Sequence, residues 1–573
     1  MTSYTEVPRM FQAQINGRCQ LQRVENKHTD AISWAREWTN YYKALPSSSP
    51  TPTQDNVPVW KRRPVKVTTA SPPPQPPQFG NQVKQWKYEI NWRLVTDGGQ
   101  DDAIIRPAIG AKGYPYFPGS SMKGAFRRAC DHTQKERYCG KSDGDKTEPG
   151  ILRFHGGYPV DNSWTENLVD IVHPQQPKQV EGEPPKSGNK PVKRKGKDKD
   201  KAGAMAQIAL HEVEINFGFS SEYLAFDDPE WKIIQKIWEK ALTRGLGSRV
   251  SAGYGGFVDF KHPEELLEVG LQGQGIFSTL LDKTPEFRPN MFKAALRGHT
   301  LRLLGGMSNA ATAQKLTQQL WGGIDGKAVV GLLGVAFSWE NLHPQTVSKT
   351  QVYNLEGGKL QIFCNCSGLD SSQKELLEKV ARSLIQFSLL LGGFGKSWRR
   401  VHHQLFYPQY LQRPNKRMIG CHWRFTPDSG DFYFPVNRLS AVTTAIDELR
   451  NNLLSWSQTQ PQFQRGFARS WREAWHKDKV KVWGRFAQEE SLAVEWFHTE
   501  GEPHIKKTLA GEMGKTGRIW HRMYPHYVLG AEDILEAATD YKFVELLTIF
   551  PDDSDVSNKL PDFLRRKQFQ QLW

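Results

Sequence analysis

The stretch YPYFPGSSMKGAFRRAC, residues 114–130, changes character at Pro118-Gly119, where an aromatic, extended run gives way to a basic helix. The first backbone N–H groups of a helix have no partner within it, and the helix dipole places partial positive charge at the same end. A phosphate group is therefore one natural ligand of this helix start. The side chains that would meet it are Ser120, Ser121, Lys123 and Arg127.

The same stretch also fits a different chemistry, that of a serine nucleophile. Ser120 and Lys123 match the S-x-x-K pattern of penicillin-recognising acyl enzymes, and Lys515-Thr516-Gly517 supplies a K-T-G. The S-D-N element of that pattern is missing from the sequence, and a polybasic insertion has no place in such a fold. We favour the phosphate interpretation and keep the Ser-Lys acyl enzyme as a remote alternative.

The composition predicts a cytoplasmic protein with a polyanionic partner. The chain has 573 residues and a net charge of +15, and its length suggests about three or four domains. Its six cysteines are too few for a disulfide framework in a chain of this size. No run approaches the ~20 apolar residues of a membrane helix, and the N-terminal MTSYTEVPRMFQ lacks the apolar centre of a signal peptide. No membrane association is expected.

Two segments carry much of the positive charge and are predicted not to pack. Residues 46–77 contain 10 of the 35 prolines, which is typical of an extended linker, here within an N-terminal extension over residues 1–84. Residues 178–201 contain nine Lys or Arg and four Asp or Glu. They lie in a low-complexity insertion, 174–203, predicted to be disordered. Charge alone could therefore reflect solvated tails, so a case for nucleic acid must rest on local motifs.

One order of predicted elements occurs twice along the chain. Apolar and polar residues alternate from Trp86 to Leu94 as in a half-buried strand, and a basic helix, a strand and an amphipathic helix follow. A strand at 266–278 then begins a similar series that ends in a helix at 371–391. We therefore predict an α+β fold with two tandem β-α-β-β-α-β domains. The first spans residues 85–262, and the second spans 263–573 with a C-terminal elaboration.

A glycine-rich loop with cations and aromatics follows the last helix of each predicted series. GLGSRVSAGYGGF (245–257) has five glycines, more than a helix cap and a turn require, and GGFGKSWRRVHH (392–403) is its counterpart. Glycine permits close backbone approach, cations pair with phosphates, and aromatic rings stack on bases. Leu390 stands where a Walker A motif needs glycine, which excludes an NTPase loop. The predicted contact residues are Gly247, Ser248, Arg249 and Tyr254 in the first loop, and Lys396, Trp398, Arg399 and Arg400 in the second.

Adjacent carboxylates precede the first basic helix. Asp101 and Asp102 could position a ribose 2′-OH or a metal ion for in-line attack. The alternative is a solvated turn, which is the commoner role of adjacent aspartates. Both interpretations remain open at this point.

A second group of residues is suited to a structural Zn²⁺ ion. Four soft ligands lie within a short span of the chain. Their spacing matches no standard zinc finger, and a cysteine on a helix face could simply be buried. The candidate ligands are Cys130, His132, Cys139 and His155.

The motifs YFPGSSMKGAFR and GLGSRVSAGYGGF together resemble the RAMP superfamily, the RNA-binding subunits of type III CRISPR effector complexes. The stretches LVDIVHPQQ (168–176), FRPNMFKAALR (287–297) and GGFGKSWRR (392–400) strengthen this resemblance. It implies tandem ferredoxin-like, RRM-type domains that hold a guide RNA (crRNA) by its backbone. It also adds a second helix-entry motif to the RNA-binding residues. These are Arg288, Lys293 and Arg297.

The resemblance further implies a place for catalysis. In catalytic members of the family an aspartate in the loop before the first helix promotes cleavage of target RNA with a divalent metal such as Mg²⁺. Asp101 occupies that position here, but Ala103 stands where the family has proline.

The functional hypothesis is therefore a guide-RNA-binding subunit of a type III CRISPR ribonucleoprotein, with target RNA and other effector subunits as partners. Cleavage of target RNA at Asp101 is a further hypothesis. One alternative is a non-catalytic cap subunit that seals the 3′ end of the crRNA. Another is a guide-processing endoribonuclease that uses His402 or His403 as a base, although histidines beside a basic loop are equally explained as RNA contacts.

Overall fold

The computed structural model describes residues 28–43, 73–96, 98–101, 104–143, 146–172, 178–182, 205–325, 327–347, 349–366, 368–407, 409, 420–498, 509, 511–512, 515–530, 534–551 and 556–573. Most of the predicted linker and of the predicted disordered insertion lies outside these residues. Within them, no helix is long and apolar enough to cross a membrane.

The first unit of the fold spans residues 84–257, and one helix precedes it. Its strands are β1 (Lys84–Glu89), β2 (Arg93–Leu94), β3 (Gln100–Asp101), β4 (Ile104–Ile105), β5 (Gly140–Asp143), β6 (Lys146–Pro149), β7 (Leu152–Pro159), β8 (Val169–Val172), β9 (Met205–Ile208), β10 (Leu210–His211) and β11 (Glu214–Ser221). The helices are α1 (His28–Asn40), α2 (Gly119–Ala129), α3 (His132–Cys139), α4 (Lys178–Glu181) and α5 (Glu230–Leu242).

An antiparallel sheet in the order β1-β11-β7 forms the centre of the first unit. An isolated bridge joins Ile90 to Phe257, so the end of the first Gly-rich loop (residues 245–257) lies where a fourth strand would extend the sheet beyond β1. Helices α2 and α5 contact each other, and α2 also packs on β7. Smaller sheets, β3-β4-β9-β8 and β10-β2, flank this arrangement.

The predicted periodicities explain the core of the first unit. The exposure of β1 alternates along its length, as the sequence indicated, because successive side chains of a strand point to opposite faces. Helix α5 is the predicted amphipathic helix, and its buried face includes Ile234 and Trp238. Asp228 supports its start, since its Oδ1 accepts the Glu230 N–H at 2.8 Å. Trp38 of α1 is fully buried beside Trp164.

The second unit spans residues 265–425 and is built on a larger sheet. Its strands are β12 (Glu265–Ile276), β13 (Ser278–Thr279), β14 (Pro285–Glu286), β15 (Gly323–Asp325), β16 (Lys327–Val329), β17 (Leu333–Val347), β18 (Thr350–Cys364) and β19 (His422–Phe425). Its helices are α6 (Asn290–Gly305), α7 (Ala310–Trp321), α8 (Ser371–Leu390) and α9 (His403–Phe406). The sheet order is β17-β18-β12-β19, with every neighbouring pair antiparallel. Asp370 caps α8, because its side chain accepts the Gln373 N–H at 2.8 Å.

A third unit follows helix α10 (Ser440–Gln458) and was not anticipated from the sequence. Its strands are β20 (Lys481–Ala487), β21 (Gly511–Glu512), β22 (Lys515–Thr516), β23 (Ile519–Pro525), β24 (Tyr527–Leu529), β25 (Leu535–Ala537), β26 (Phe543–Ile549) and β27 (Gln570–Gln571). Its helices are α11 (Leu492–His498) and α12 (Val556–Arg566). The sheet order is β23-β26-β20-β27. As in the second unit, the first strand lies between the third and the fourth, and the second strand is at the edge.

The mixed α+β class predicted from the sequence is confirmed, since each unit combines helices with small sheets. One detail of the predicted insertion is wrong. Residues 178–182, placed in the disordered segment 174–203, begin with helix α4, and Val180 is buried in the core of the second unit. A single apolar residue that docks on a distant unit is not visible in a Lys/Pro/Gly-rich sequence.

Candidate nucleic-acid interface

Helix α2 carries the predicted phosphate-binding side chains, the two serines in its first turn and Arg127 in its last. Ser120, Ser121 and Arg127 are exposed and Lys123 is half-buried. Pro118 is the N-cap without a side-chain hydrogen bond, and the first turn contains no acidic residue. The positive end of the helix dipole is therefore not neutralised by a carboxylate of its own first turn.

Gly119 fixes where α2 begins. A Cβ atom at this position would lie 2.2 Å from the Phe154 carbonyl oxygen of β7. The helix start consequently packs directly against the strand backbone, at a distance that leaves no room for a side chain. This contact places the two serines at the edge of the sheet.

One part of the first Gly-rich loop is packed against the rest of the first unit, and its tip is exposed. The Ser248 N–H donates to the Val95 carbonyl at 3.1 Å, and a Cβ at Gly255 would lie 1.8 Å from the Leu246 carbonyl oxygen. Close packing of the loop on itself therefore accounts for some of its glycines. Gly247 and Arg249 are exposed at its tip, where Arg249 has φ +63°.

Two predicted RNA-binding residues, Tyr254 and Arg288, lie in a buried network between the first and second units. The Tyr254 hydroxyl donates to Asp170 Oδ2 at 2.9 Å, and Arg288 Nη1 lies 2.6 Å from Asp170 Oδ1. Arg93 donates through Nε to Glu286 Oε1 at 3.0 Å. All of these side chains are buried. The geometry favours a role for Tyr254 and Arg288 in joining the units.

The arginines of this network keep Asp170 ionised at neutral pH. Burial alone would raise the pKa of Asp170, but the Arg288 and Arg93 guanidinium groups outweigh burial and hold that pKa below its usual value. Burial and the neighbouring Asp170 raise the pKa of Tyr254. The hydroxyl therefore keeps its proton as the donor to Asp170.

Helix α6 carries two further predicted cations along one side. Lys293 Nζ donates to Ser251 Oγ of the first Gly-rich loop at 2.7 Å. Burial, followed by the charge of Arg297, lowers the pKa of Lys293 to about 8. Arg297 donates through Nε to the Gly322 carbonyl at 3.4 Å, and burial lowers its pKa to about 10. Both side chains remain predominantly cationic at pH 7.

A cavity of about 650 Å³ brings predicted residues from two parts of the sequence together; we call it the α6 cavity. Arg297 of α6 lines it, as do Lys396 and Trp398 of the second Gly-rich loop (residues 392–403). Lys396 is exposed and Trp398 half-buried. Helix α4, the ordered start of the basic insertion, contributes Val180 to the same cavity. Cationic and aromatic groups thus converge as an RNA-binding surface requires.

The remaining predicted cations of the second loop have separate surroundings. Arg399 makes a two-pronged ion pair with the buried Glu473, with Nη1–Oε1 2.7 Å and Nη2–Oε2 2.9 Å. Arg302 and Arg472 contact the same carboxylate. Glu473 was missed from the sequence, because nothing local marks a residue 74 positions beyond its partner. Arg400 is half-buried and lines a second cavity.

The candidate catalytic residues are described in part. The backbone of Asp101 belongs to β3 and pairs with Ile104 of β4, in the connection between β2 and α2. Asp102 lies outside the described residues. The catalytic roles of both aspartates stay predictions.

The four candidate zinc ligands do not come together. Cys130 and Cys139 are close enough for a thiol hydrogen bond, which is the main cause of the lowered pKa of Cys139. His155 is exposed and its Nε2 lies 2.7 Å from Ser220 Oγ, while His132 is exposed at the start of α3. In the part of the chain that the structure describes, no three His, Cys, Asp or Glu residues form a metal-binding group. The zinc hypothesis does not fit this geometry.

The structure also shows where the candidate residues of the two alternative enzymes lie. Ser120 belongs to the first unit, whereas Lys515 and Thr516 form the short strand β22 in the third. His402 is buried, and His403 Nδ1 lies 2.9 Å from the Val401 carbonyl. Burial is the main cause that lowers the pKa of both histidines, that of His403 to about 4. Both imidazoles are neutral at pH 7.

Comparison with known proteins supplies a family for one part of the chain. The family model of the RAMP superfamily matches residues 102–258. No curated protein matches the chain. This match contains helix α2, the β7 and β11 strands and the first Gly-rich loop.

Two solved structures show limited similarity. A chain of the cryo-EM structure of type III-B Cmr-beta bound to cognate target RNA is 20% identical, with a TM-score of 0.22; the match covers 31% of this chain and 58% of that one. The crystal structure of Cmr6 from Pyrococcus furiosus is 16% identical, with a TM-score of 0.18, covering 31% of this chain and 97% of that one. The chain thus spans little more than half the length of the first relative. The family match, by contrast, covers most of the first unit, so the similarity to the RAMP superfamily lies in residues 102–258.

Proposed function

We propose that the protein is a guide-RNA-binding subunit of a type III CRISPR ribonucleoprotein, and that it holds the crRNA backbone and positions target RNA. The RAMP-superfamily match over residues 102–258 carries this proposal. The matched segment includes the exposed Ser120 and Ser121 at the start of α2, the exposed Arg127 in its last turn and the exposed Arg249 of the first Gly-rich loop. These groups are suited to phosphate contacts.

The contact between the first two units supports a continuous RNA path. Ser251 of the first Gly-rich loop accepts a hydrogen bond from Lys293 of α6, and Arg297 lies one helical turn further along the same helix. Arg297 in turn lines the α6 cavity together with Lys396 and Trp398. Ser251 of the first Gly-rich loop and Lys396 and Trp398 of the second therefore lie beside the same helix. In this proposal the RNA backbone follows that helix.

The sheet orders support ferredoxin-like units. An antiparallel order with the first strand between the third and the fourth, combined with the β-α-β-β-α-β order of elements, is the arrangement expected of that fold. The second and third sheets have it, and the first has it with a single bridge in place of the fourth strand. We accordingly propose three such units along the chain, where the sequence indicated two.

The first test is the RNA that the protein carries. The chain is co-expressed with a CRISPR array and its neighbouring genes, purified, and its bound RNA is sequenced. Repeat-derived guides of uniform length are expected. Random RNA, or none, would contradict the proposal. Guides whose processing depends on His402 would favour the endoribonuclease alternative, and protection of the guide 3′ end alone would favour the cap subunit.

A second test measures the charge of the interface. If about six phosphates of single-stranded RNA are neutralised, log K for binding falls with log salt at a slope of about −4. Arg127→Ala and Arg249→Ala should each reduce the steepness of that slope by about 0.7. Lys379→Ala is the matched control, because Lys379 is an exposed cation paired with Glu375 on α8, outside the proposed path. An unchanged slope in both arginine variants would remove them from the interface.

Cleavage of target RNA at Asp101 is a further proposal for the same subunit. The position of Asp101 in the connection that leads into α2 favours it. A divalent metal such as Mg²⁺, held in part by this carboxylate, would neutralise charge at the scissile phosphate. Asp101→Asn should abolish cleavage while guide and target binding are retained. Cleavage at the unaltered rate in this variant would exclude the role.

A further inference from the structure

A second cavity, of about 640 Å³, lies between the second and third units; we call it the His402 cavity. Its walls come from Gln272–Gln274 of β12 and His422–Arg424 of β19 on one side, and from Arg522–Pro525 of β23 on the other. The second Gly-rich loop supplies Arg400 and His402. The same loop thus contributes residues to both the α6 cavity and the His402 cavity.

His402 lines this cavity and carries a hydrogen-bond donor without a partner among the described residues. Its side chain is 8% exposed, and its Nδ1 accepts the Leu405 N–H at 2.9 Å as the cap of α9. Because Nδ1 is the acceptor, the proton of the neutral ring is on Nε2. That Nε2 is buried and has no partner in the described part of the chain. Buried N–H groups are almost always paired, so this donor is conspicuous.

Arg522 offers a second donor, and it is charged. Its Nη1 donates to the His521 carbonyl at 2.7 Å, while its Nη2 is buried and unpartnered among the described residues. Burial, followed by Arg399, lowers its pKa to about 9, which leaves the guanidinium cationic at pH 7. A Cβ at Gly393 would lie 2.3 Å from Nη2. Glycine at 393 therefore makes room for the guanidinium group.

Trp423 completes the group, since its Nε1 is also buried without a partner within the described residues. Three residues that line the cavity thus carry buried N–H groups without a partner among the described residues: one charged and two neutral. Arg400 and the exposed Arg424 add positive charge to its lining, against one carboxylate, the exposed Glu356. Hydrogen-bond donors in a site of net positive charge favour an oxyanion as the ligand.

The rest of the wall suits a base. Phe394, Phe406, Tyr433 and Phe543 line the same cavity, and aromatic rings stack on nucleobases of any sequence. A volume of about 640 Å³ is within the usual range for a small-molecule site. An oxyanion next to aromatic rings is the chemical pattern of a nucleotide.

We propose that the His402 cavity binds one nucleotide, with its phosphate on His402 Nε2, Arg522 Nη2 and Trp423 Nε1 and its base against the aromatic wall. The nucleotide is either a free nucleoside monophosphate or one residue of an RNA chain. Its recognition does not require that the RNA be a guide. Failure of the CRISPR proposal and failure of this one are therefore distinguishable.

The test is binding to the purified full-length chain by titration calorimetry. The probes are AMP, adenosine and a short RNA with or without a terminal phosphate. We expect AMP or the RNA to bind and adenosine to bind at least tenfold more weakly. Binding of AMP identifies a free nucleotide as a ligand, whereas binding of RNA alone identifies a residue of a chain. Equal binding of AMP and adenosine, or no binding of any probe, would overturn the proposal.

Variants then connect the binding to the three donors. Arg522→Gln should weaken binding by about tenfold or more, because a hydrogen bond to a charged group is lost. His402→Asn keeps an acceptor for the Leu405 N–H but lacks the Nε2 donor, whereas His402→Gln can restore a donor at the Nε2 position. We expect weaker binding in the first and partial recovery in the second. Trp423→Phe keeps an aromatic ring but removes the indole N–H, so it should also weaken binding.

The matched control is Arg450→Gln. Arg450 is a half-buried arginine outside both cavities; it donates to the Trp475 carbonyl, and burial lowers its pKa to about 10. Its substitution should leave nucleotide affinity unchanged. Thermal unfolding of every variant shows that the fold is retained. If Arg522→Gln and His402→Asn are folded and bind AMP and RNA with unaltered affinity, the assignment is wrong.

Discussion

At the scale of single residues, the buried carboxylate of Glu473 stands out because three arginines contact it. It is fully buried and is contacted by Arg302, Arg399 and Arg472. A carboxylate that balances three guanidinium groups cannot be removed without leaving several of them uncompensated in a low-dielectric interior. The second Gly-rich loop depends on this balance, because Arg399 is part of that loop.

We therefore expect Glu473→Gln to lower the free energy of unfolding by about 3–5 kcal/mol, the usual cost of breaking a buried ion pair. Urea denaturation measures this. Glu375→Gln is the control, because Glu375 forms an exposed ion pair with Lys379 within α8, and exposed pairs contribute little. A loss below 1 kcal/mol in Glu473→Gln would mean that water reaches the three arginines.

Protonation of the Glu473 carboxylate should make the free energy of unfolding depend on pH. Burial alone would raise the pKa of Glu473, but Arg399 and Arg302 lower it to about 2, against about 4.3 in an unfolded chain. The unfolded state therefore takes up the proton first as the pH falls, and the stabilisation is complete above about pH 4.3 and is lost towards pH 2.

The stability difference between the wild-type chain and Glu473→Gln should accordingly be constant from pH 7 to pH 5. It should then shrink as the pH falls from about 4.3 towards 2. Urea midpoints of both proteins at each pH give this difference and remove contributions that the two share. A difference that grows on acidification would reverse the sign of the argument.

At the scale of elements, two glycines of helix α2 should respond in opposite directions. Gly119→Ala places a Cβ 2.2 Å from the Phe154 carbonyl oxygen, so the helix start must move off β7, at a cost of about 1–3 kcal/mol. Gly124 is inside the same helix, and its Cβ would meet the end of the Arg128 side chain at 3.8 Å. Gly124→Ala should stabilise the protein by about 0.5–1 kcal/mol.

Thermal unfolding of the two alanine variants checks this, and each serves as the control of the other. RNA affinity adds a second measurement. Gly119→Ala should also weaken RNA binding, because Ser120 and Ser121 move with the helix start, whereas Gly124→Ala should not. Equal stability of the two variants would show that the contact with β7 does not fix the helix.

The sequence predicted individual helices and strands better than it predicted the contacts between distant parts of the chain. Apolar periodicity predicted α5 and α8, and the structure contains both helices with buried apolar faces. The buried roles of Tyr254 and Arg288 were not predictable, because their partner Asp170 lies far away along the chain. The third sheet was missed for a related reason: two of its connections hold short hairpins that interrupt the pattern, and its last strand has two residues.

At the scale of the whole molecule, the first two units are joined by reciprocal charges. The first unit provides the cation Arg93 and the anion Asp170, and the second provides the anion Glu286 and the cation Arg288. Arg288 also lies 3.2 Å from Glu286. Each unit therefore presents a buried cation and a buried anion to the opposite charges of the other. This arrangement favours a single relative placement of the first Gly-rich loop and α6.

Such a network predicts strong coupling between Arg93 and Glu286. Arg93→Met and Glu286→Leu should each lower the free energy of unfolding by about 3–5 kcal/mol, because each leaves a buried charge without its partner. The double variant leaves the Asp170–Arg288 pair in place and replaces the other pair by apolar groups, so it should lose at least 2 kcal/mol less than the sum of the single losses. Urea denaturation of the four proteins gives this coupling energy, and calorimetry should show one unfolding transition in the wild-type chain and two in the single variants. If the losses of stability are additive and every variant unfolds in one transition, apolar packing joins the units and the ion pairs do not contribute to joining them.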